Sequence, residues 1–143
     1  MTFIEKIKKT IEAATGMPFL YHAAGELELL LAQQPTLPIA YAFLLDTGAV
    51  ADVNGLFHER ATLAVVFADK TAFDFNSFEN EQIIDSLKSE AFHWLNYVRR
   101  ECYDDIELVS VNSTQRLYDT TAEVLTGYAV NVTLQEVEAH GCE

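Results

Sequence analysis

Arg60-Ala-Thr-Leu-Ala-Val-Val-Phe-Ala68 is a run of apolar and β-branched residues that predicts a buried β-strand. The acidic and aromatic link Asp69-Lys-Thr-Ala-Phe-Asp-Phe75 follows it. A long amphipathic helix is then predicted from Glu79 to Cys102. Its apolar residues recur at helical spacing on one face: Ile83, Ile84, Leu87, Ala91, Trp94, Leu95 and Val98. A buried strand followed by such a helix predicts a domain that mixes α and β structure.

A first hairpin is predicted around the strand Arg60 to Ala68. Its partner is Ile39 to Asp46, which is apolar on both faces and is therefore predicted to be central in its sheet. The segment between them, Thr47 to Glu59, is predicted to be a loop, in which Asn54-Gly55 favours a tight turn.

A second hairpin is predicted near the C-terminus. Ile106 to Leu117 and Val124 to Val137 are rich in β-forming residues, and the polar segment Tyr118 to Glu123 separates them as a turn. Within the second strand, Tyr128 and the alternate residues after it share one face, while Gly127 permits a bulge or the close approach of another backbone.

The N-terminus predicts a capped helix. Thr2 and Glu5 have the spacing of a capping box, Gly16 suits a left-handed helix end, and Pro18 prevents the helix from resuming. Phe19 to His22 predicts a short strand. Gly25 to Gln34 fits either a short helix or an extended segment.

These elements predict the α+β class, with a mainly antiparallel sheet of four to five strands and two principal helices packed on one face. The whole chain of 143 residues is expected to form a single domain, with a frayed tail over about residues 138–143.

The charge of the chain restricts its partners. Acidic residues outnumber basic ones by 22 to 9, for a formal net charge of −13. Phosphate binding depends on Lys and Arg, so we expect no sequence-specific binding of nucleic acid. The two cysteines, Cys102 and Cys142, are too few for a disulfide scaffold. With a charged N-terminus and no long apolar stretch, the sequence predicts a cytoplasmic protein with no membrane partner.

No motif predicts a reaction centre. The glycines are scattered, and no His-Glu-x-x-His pair occurs. His140 and Cys142 would supply only two ligands to a metal, and four are usual at structural zinc sites. We therefore expect no catalytic residues, no metal and no cofactor. The alternative of a small hydrolase stays open if His22, His58 or His93 meets a carboxylate or Cys102 in one cleft.

Four segments carry a family resemblance. They are Leu37-Pro-Ile-Ala-Tyr-Ala-Phe-Leu-Leu45, Glu59-Arg-Ala-Thr-Leu-Ala-Val-Val-Phe-Ala-Asp-Lys70, Glu79-Asn-Glu-Gln-Ile-Ile84 and Leu125-Thr-Gly-Tyr-Ala-Val-Asn-Val-Thr-Leu134. They resemble prophage-encoded proteins whose genes lie near tail genes. The order of elements is similar to that of the tail terminator and tail-completion proteins of long-tailed bacteriophages, which include head–tail joining and minor tail proteins. The resemblance extends from Pro18 to Val137.

The resemblance implies a structural subunit without catalytic residues. Such a subunit forms a six-fold ring at the head-proximal end of the tail tube, ends tube polymerisation and provides the surface on which the head docks. Its partners would be copies of itself, the tail-tube protein and the head-connector protein. Its location would be the cytoplasm of the bacterial host and then the virion tail.

A ring requires one patch of a subunit to meet a different patch on the next copy. We expect these contacts in the acidic and aromatic link, the loop before Arg60 and the final hairpin. The candidate contact residues are Asp69, Phe73, Asp74, Phe75, Asn54, Phe57, His58, Tyr118 and Tyr128. The alternative is a small non-catalytic adaptor domain that binds a ligand or protein in a cellular pathway, for which a deep apolar pocket would be the sign.

Overall fold

Two helices and five strands make up the described part of the chain, which is residues 2–21, 38–51, 54–70, 77–101, 106–117 and 125–136 of a computed structural model. In chain order they are α1 (Phe3–Thr15), β1 (Phe19–Tyr21), β2 (Ile39–Ala51), β3 (Phe57–Lys70), α2 (Ser77–Glu101), β4 (Ile106–Leu117) and β5 (Leu125–Glu136). The predictions made for residues 25–34, 118–123 and 138–143 lie outside the described residues.

The five strands form one sheet in the order β1-β2-β3-β5-β4. β1 is parallel to β2, and all other neighbours are antiparallel. Both predicted hairpins are present, as β2–β3 and β4–β5. The prediction of an α+β fold with a mainly antiparallel sheet and helices on one face is confirmed.

The ends of α1 follow the predicted signals. The Thr2 hydroxyl accepts a hydrogen bond from the Glu5 backbone N–H, and the Glu5 carboxylate accepts one from the Thr2 N–H, each at 3.2 Å. Gly16 adopts a left-handed φ of 71° and ends the helix. A residue with a Cβ would be strained there, so the glycine fixes where the chain turns toward β1.

The prediction of a loop over residues 47–59 is wrong for most of that segment. β2 continues to Ala51 and β3 begins at Phe57, with pairs such as Ala49 with Glu59 continuing the ladder toward the turn. Only the turn itself fits the prediction, since Asn54 and Gly55 lie in it and Gly55 has a φ of 79°. Cross-strand pairing overrides the weak strand propensity of residues such as Gly48.

The core lies between the helices and one face of the sheet, here called the helix face. Alternate residues of β3 and β5 supply the sheet side, and the predicted stripe of α2 supplies the other. The buried strand residues on this face are Ala61, Leu63, Val65, Phe67, Tyr128, Val130, Val132 and Leu134. The opposite face carries a smaller buried cluster near one end, formed by Ile39, Tyr41, Val66, Ala68 and Ala129.

Gly127 lies where two neighbouring backbones approach closely. A Cβ at this position would lie 3.0 Å from the Phe67 carbonyl oxygen and 3.2 Å from the Val66 Cγ1 atom. The close approach predicted for this glycine is therefore confirmed. The register pairs Gly127 with Ala68 and Leu117 without a bulge.

Trp94 joins the two helices inside the core. Its side chain is fully buried, and its indole N–H donates a hydrogen bond of 3.0 Å to the equally buried Thr10 hydroxyl. The hydroxyl in turn donates to the Ile7 carbonyl at 2.7 Å. The Trp94 ring also packs against Phe67 with ring centroids 6.1 Å apart, which ties both helices to the middle of the sheet.

The substitution Thr10→Val is expected to lower the free energy of unfolding by about 1–3 kcal/mol, because it leaves the buried Trp94 N–H without an acceptor. Urea denaturation followed by tryptophan fluorescence measures the change. Ser89→Ala is the control, since the exposed Ser89 hydroxyl also bonds a helix carbonyl, and its loss should cost less than about 0.5 kcal/mol. Equal effects of the two substitutions would contradict the role assigned to Thr10.

Candidate functional site

Exposed apolar residues lie along the distal part of the β2–β3 hairpin. Leu44 and Leu45 are adjacent on β2, and Leu45 is 57% exposed. We call these two residues the hairpin surface. Leu56 and Phe57 are also exposed, but Phe57 is six residues along β3 from Leu63, the partner of Leu44, and therefore lies about 20 Å away. Neighbouring exposed apolar residues mark a candidate interaction site.

The hairpin surface borders an open edge of the sheet. β1 pairs with Ala40 to Ala42 of β2, and no described strand pairs with the outer edge of β2 from Phe43 to Ala51. A register shift between Leu44 and Asp46 marks a bulge at Leu45. Bulges bend a strand and turn its side chains to new directions, which here accompanies the exposure of Leu45.

A second apolar surface lies at the other edge of the sheet, between α2 and β4. It is a shallow groove of about 250 Å³. We call it the edge groove, and its lining residues are Phe92, Leu95, Asn96, Arg99, Leu108 and Val111. Phe92 is partly held in place by an edge-to-face contact with Tyr128, with ring centroids 5.8 Å apart.

Two bulges shape β4 beside the edge groove. The register with β5 shifts between Leu108 and Ser110 and again between Val111 and Ser113. Asn112 is fixed on the face away from the helices, where its amide donates to the Thr133 hydroxyl at 3.1 Å and its carbonyl oxygen accepts from Ser110 at 2.7 Å. Val111 is thereby left on the helix face, where it lines the groove.

One cross-strand row connects the two surfaces. Leu44 pairs with Leu63, Leu63 pairs with Val132, and Val132 pairs with Val111. The two middle residues are fully buried, but Leu44 is 42% exposed and Val111 is 43% exposed. An apolar row thus crosses the helix face and emerges at both edges of the sheet.

A larger cleft of about 590 Å³ lies between the end of α1, the start of β2, the end of β3 and the first half of α2. Carboxylates from Asp69, Glu79 and Glu90 line it together with apolar groups from Met17 and Leu87. Its described lining contains no Lys or Arg, so the cleft is electronegative. We call it the acidic cleft.

The structure separates the predicted contact residues. Asp69 lines the acidic cleft, while Asn54, Phe57 and His58 lie in the distal hairpin. Phe73, Asp74, Phe75 and Tyr118 lie outside the described residues.

The expectation for Tyr128 is wrong. This residue is only 6% exposed and belongs to the core on the helix face, so its side chain is not available to another subunit. Its alternation with Val130 and Val132 is the pattern of a buried face.

The two described histidines lie apart from the clefts. His58 is on the hairpin and His93 is exposed on α2, and neither appears in the described lining of the acidic cleft or the edge groove. His22, His140, Cys102 and Cys142 lie outside the described residues. Within the described ranges, no group of three or more His, Cys, Asp or Glu side chains is arranged to hold a metal ion.

The edge groove was not predicted. Its residues come from α2 and β4, and only the fold brings them together. Phe92 and Val111 are apolar residues outside the core stripe of α2 and the alternating strand pattern. Single apolar residues on a surface are normal, so neither residue by itself predicts the groove.

Among the described residues, no helix is long and apolar enough to cross a membrane. Comparison with protein-family models finds no match, and no curated protein matches the chain.

Leu45→Ala is expected to leave the free energy of unfolding within about 0.5 kcal/mol of the original, because the side chain is largely exposed. Leu63→Ala, at a fully buried position of the same hairpin, should cost about 2–5 kcal/mol. Chemical denaturation of both variants measures the difference. If Leu45→Ala proved as costly as Leu63→Ala, the hairpin surface would belong to the core of the monomer.

Proposed function

We propose that this chain is a structural subunit of a phage or prophage tail, a tail-terminator-like protein that closes the head-proximal end of the tail tube as a ring. It acts by assembly and transforms no substrate. Its partners are copies of itself, the tail-tube protein and the head-connector protein. The bacterial cytoplasm is where it assembles, and the virion tail is where it finally resides.

The observation that supports this proposal is the presence of two different apolar surfaces at opposite edges of one sheet. A closed ring uses heterologous contacts, in which unlike patches meet at every interface. The hairpin surface lies at the β2 edge and the edge groove at the β4 edge, with β3 and β5 between them. A subunit with this arrangement can contact one neighbour on each side.

The α+β architecture is compatible with the proposal, since the described helices and strands follow the predicted order, which is similar to that of tail terminators. The net charge of −13 is compatible with a ring through which DNA passes, because acidic side chains do not bind phosphate.

The acidic cleft favours a second candidate function, an adaptor that binds a partner segment. Its volume of about 590 Å³ and its carboxylates would suit a basic side chain of another protein. We prefer the tail proposal because an adaptor that binds its partner in the acidic cleft would not use the two apolar surfaces at the edges of the sheet.

The test is assembly in the presence of a template. Purified chain at high concentration, with the tail-tube protein encoded in the same genome, is expected to form closed rings at tube ends, visible by negative-stain electron microscopy and as a defined oligomer in native mass spectrometry. The chain without the tube protein is the control, because ring formation can depend on the template. A chain that stays monomeric and does not associate with tubes would contradict the proposal.

A further inference from the structure

We propose that the hairpin surface of one copy binds in the edge groove of the next copy, and that Glu59 of the first copy pairs there with Arg99 of the second. This inference rests on the proposed function, because it specifies the contact by which copies of the chain would assemble. It goes further by naming the residues on each side.

The hairpin surface and the edge groove lie level with each other along the strands. Leu44 and Val111 are the two ends of one cross-strand row, separated by Leu63 and Val132. If neighbouring copies are related by a rotation about an axis along the strands, each row stays at the same height from copy to copy. Leu44 of one copy then approaches Val111 and the groove of its neighbour.

The hairpin surface and the edge groove also lie on the same side of the sheet. Leu44 pairs with Leu63, and period-2 alternation places it on the helix face. The edge groove is also on the helix face, since α2 forms one of its walls. Copies placed edge to edge with their helices on the same side would bring Leu44 toward Val111 and Leu108.

Irregular edge strands favour a contact made by side chains over one made by main-chain pairing. Extending a sheet across two edges requires regular strands, but β4 has bulges on both sides of Val111, and β2 has one at Leu45. Bulges at edges hinder strand addition. The same bulges accompany the exposed apolar side chains at both edges, which favours a contact made by filling the groove.

Charge complementarity supports a second copy as the occupant. Arg99 lines the edge groove, and neither it nor the adjacent Arg100 makes an ion pair with any residue that the structure describes. Glu59 is exposed on the helix face of the hairpin, one row closer to the turn than Ala61. The row of Ala61 continues through Leu134 to Leu108 in the groove wall, so Glu59 is level with the end of the groove near the C-terminus of α2.

The first experiment compares Leu44→Ser with Phe78→Ser. Leu44 is 42% exposed at the level of the groove, whereas Phe78 is 76% exposed at the start of α2, away from both surfaces. With tail-tube protein present, Leu44→Ser is expected to raise the dissociation constant of self-association by roughly tenfold or more, a change of about 1.4 kcal/mol or more. Phe78→Ser should behave as the unmodified chain. Sedimentation equilibrium over a concentration series measures both.

The second experiment is a charge swap. Glu59→Arg and Arg99→Glu should each weaken self-association, because each places like charges at the contact. An equimolar mixture of the two single variants should also associate, because alternating them around a six-fold ring places opposite charges at every interface. The double variant Glu59→Arg with Arg99→Glu restores opposite charges at each interface, so it should recover most of the lost association. If either single substitution weakened association only by disturbing the fold, the double variant would not recover.

The outcomes separate the inference from the function it rests on. If the unmodified chain forms rings and Leu44→Ser forms them equally well, or if the double variant shows no recovery, this contact is wrong while the tail function stands. If the unmodified chain forms no oligomer with or without tube protein, both proposals fail.

Discussion

The indole of Trp94 places the strongest constraint on this fold. Its N–H is buried and needs an acceptor, and the Thr10 hydroxyl at 3.0 Å is the group that provides one. Because Thr10 is on α1 and Trp94 is on α2, the bond holds the two helices side by side over the middle of the sheet. Both helices therefore cover the same face, and residues at its two edges, such as Leu44 and Val111, stay partly exposed.

The candidate surfaces follow from this incomplete cover of the helix face. Residues of one apolar row are buried where the helices lie above them, as at Leu63 and Val132, and exposed where the row extends beyond the helices, as at Leu44 and Val111. The same alternation that builds the core thus builds the surfaces at its margins. No separate motif is needed, and this explains how a chain without a recognisable site can still present specific surfaces.

Much of the fold could be predicted from local signals. The capping box at Thr2, the stripe of α2 and the limits of β4 follow from short-range chemistry and periodicity. The length of the β2–β3 hairpin could not be predicted, because residues such as Gly48 are poor strand formers that become strand only when paired. The edge groove could not be predicted either, since Phe92 and Val111 meet only after the strand order is set. Tyr128 is aromatic and could have served as a contact residue, but packing in the folded domain buries its side chain in the core.

Net charge decides which surfaces of two copies can meet. A chain with a net charge of −13 repels its own copies, so any contact must be made where acidic side chains are few. The acidic cleft, with three carboxylates in its lining, is unsuited to another acidic surface. The edge groove has no carboxylate in its described lining and includes Arg99. Repulsion over the rest of the surface would therefore disfavour other arrangements and leave the hairpin and the groove as the favoured pair.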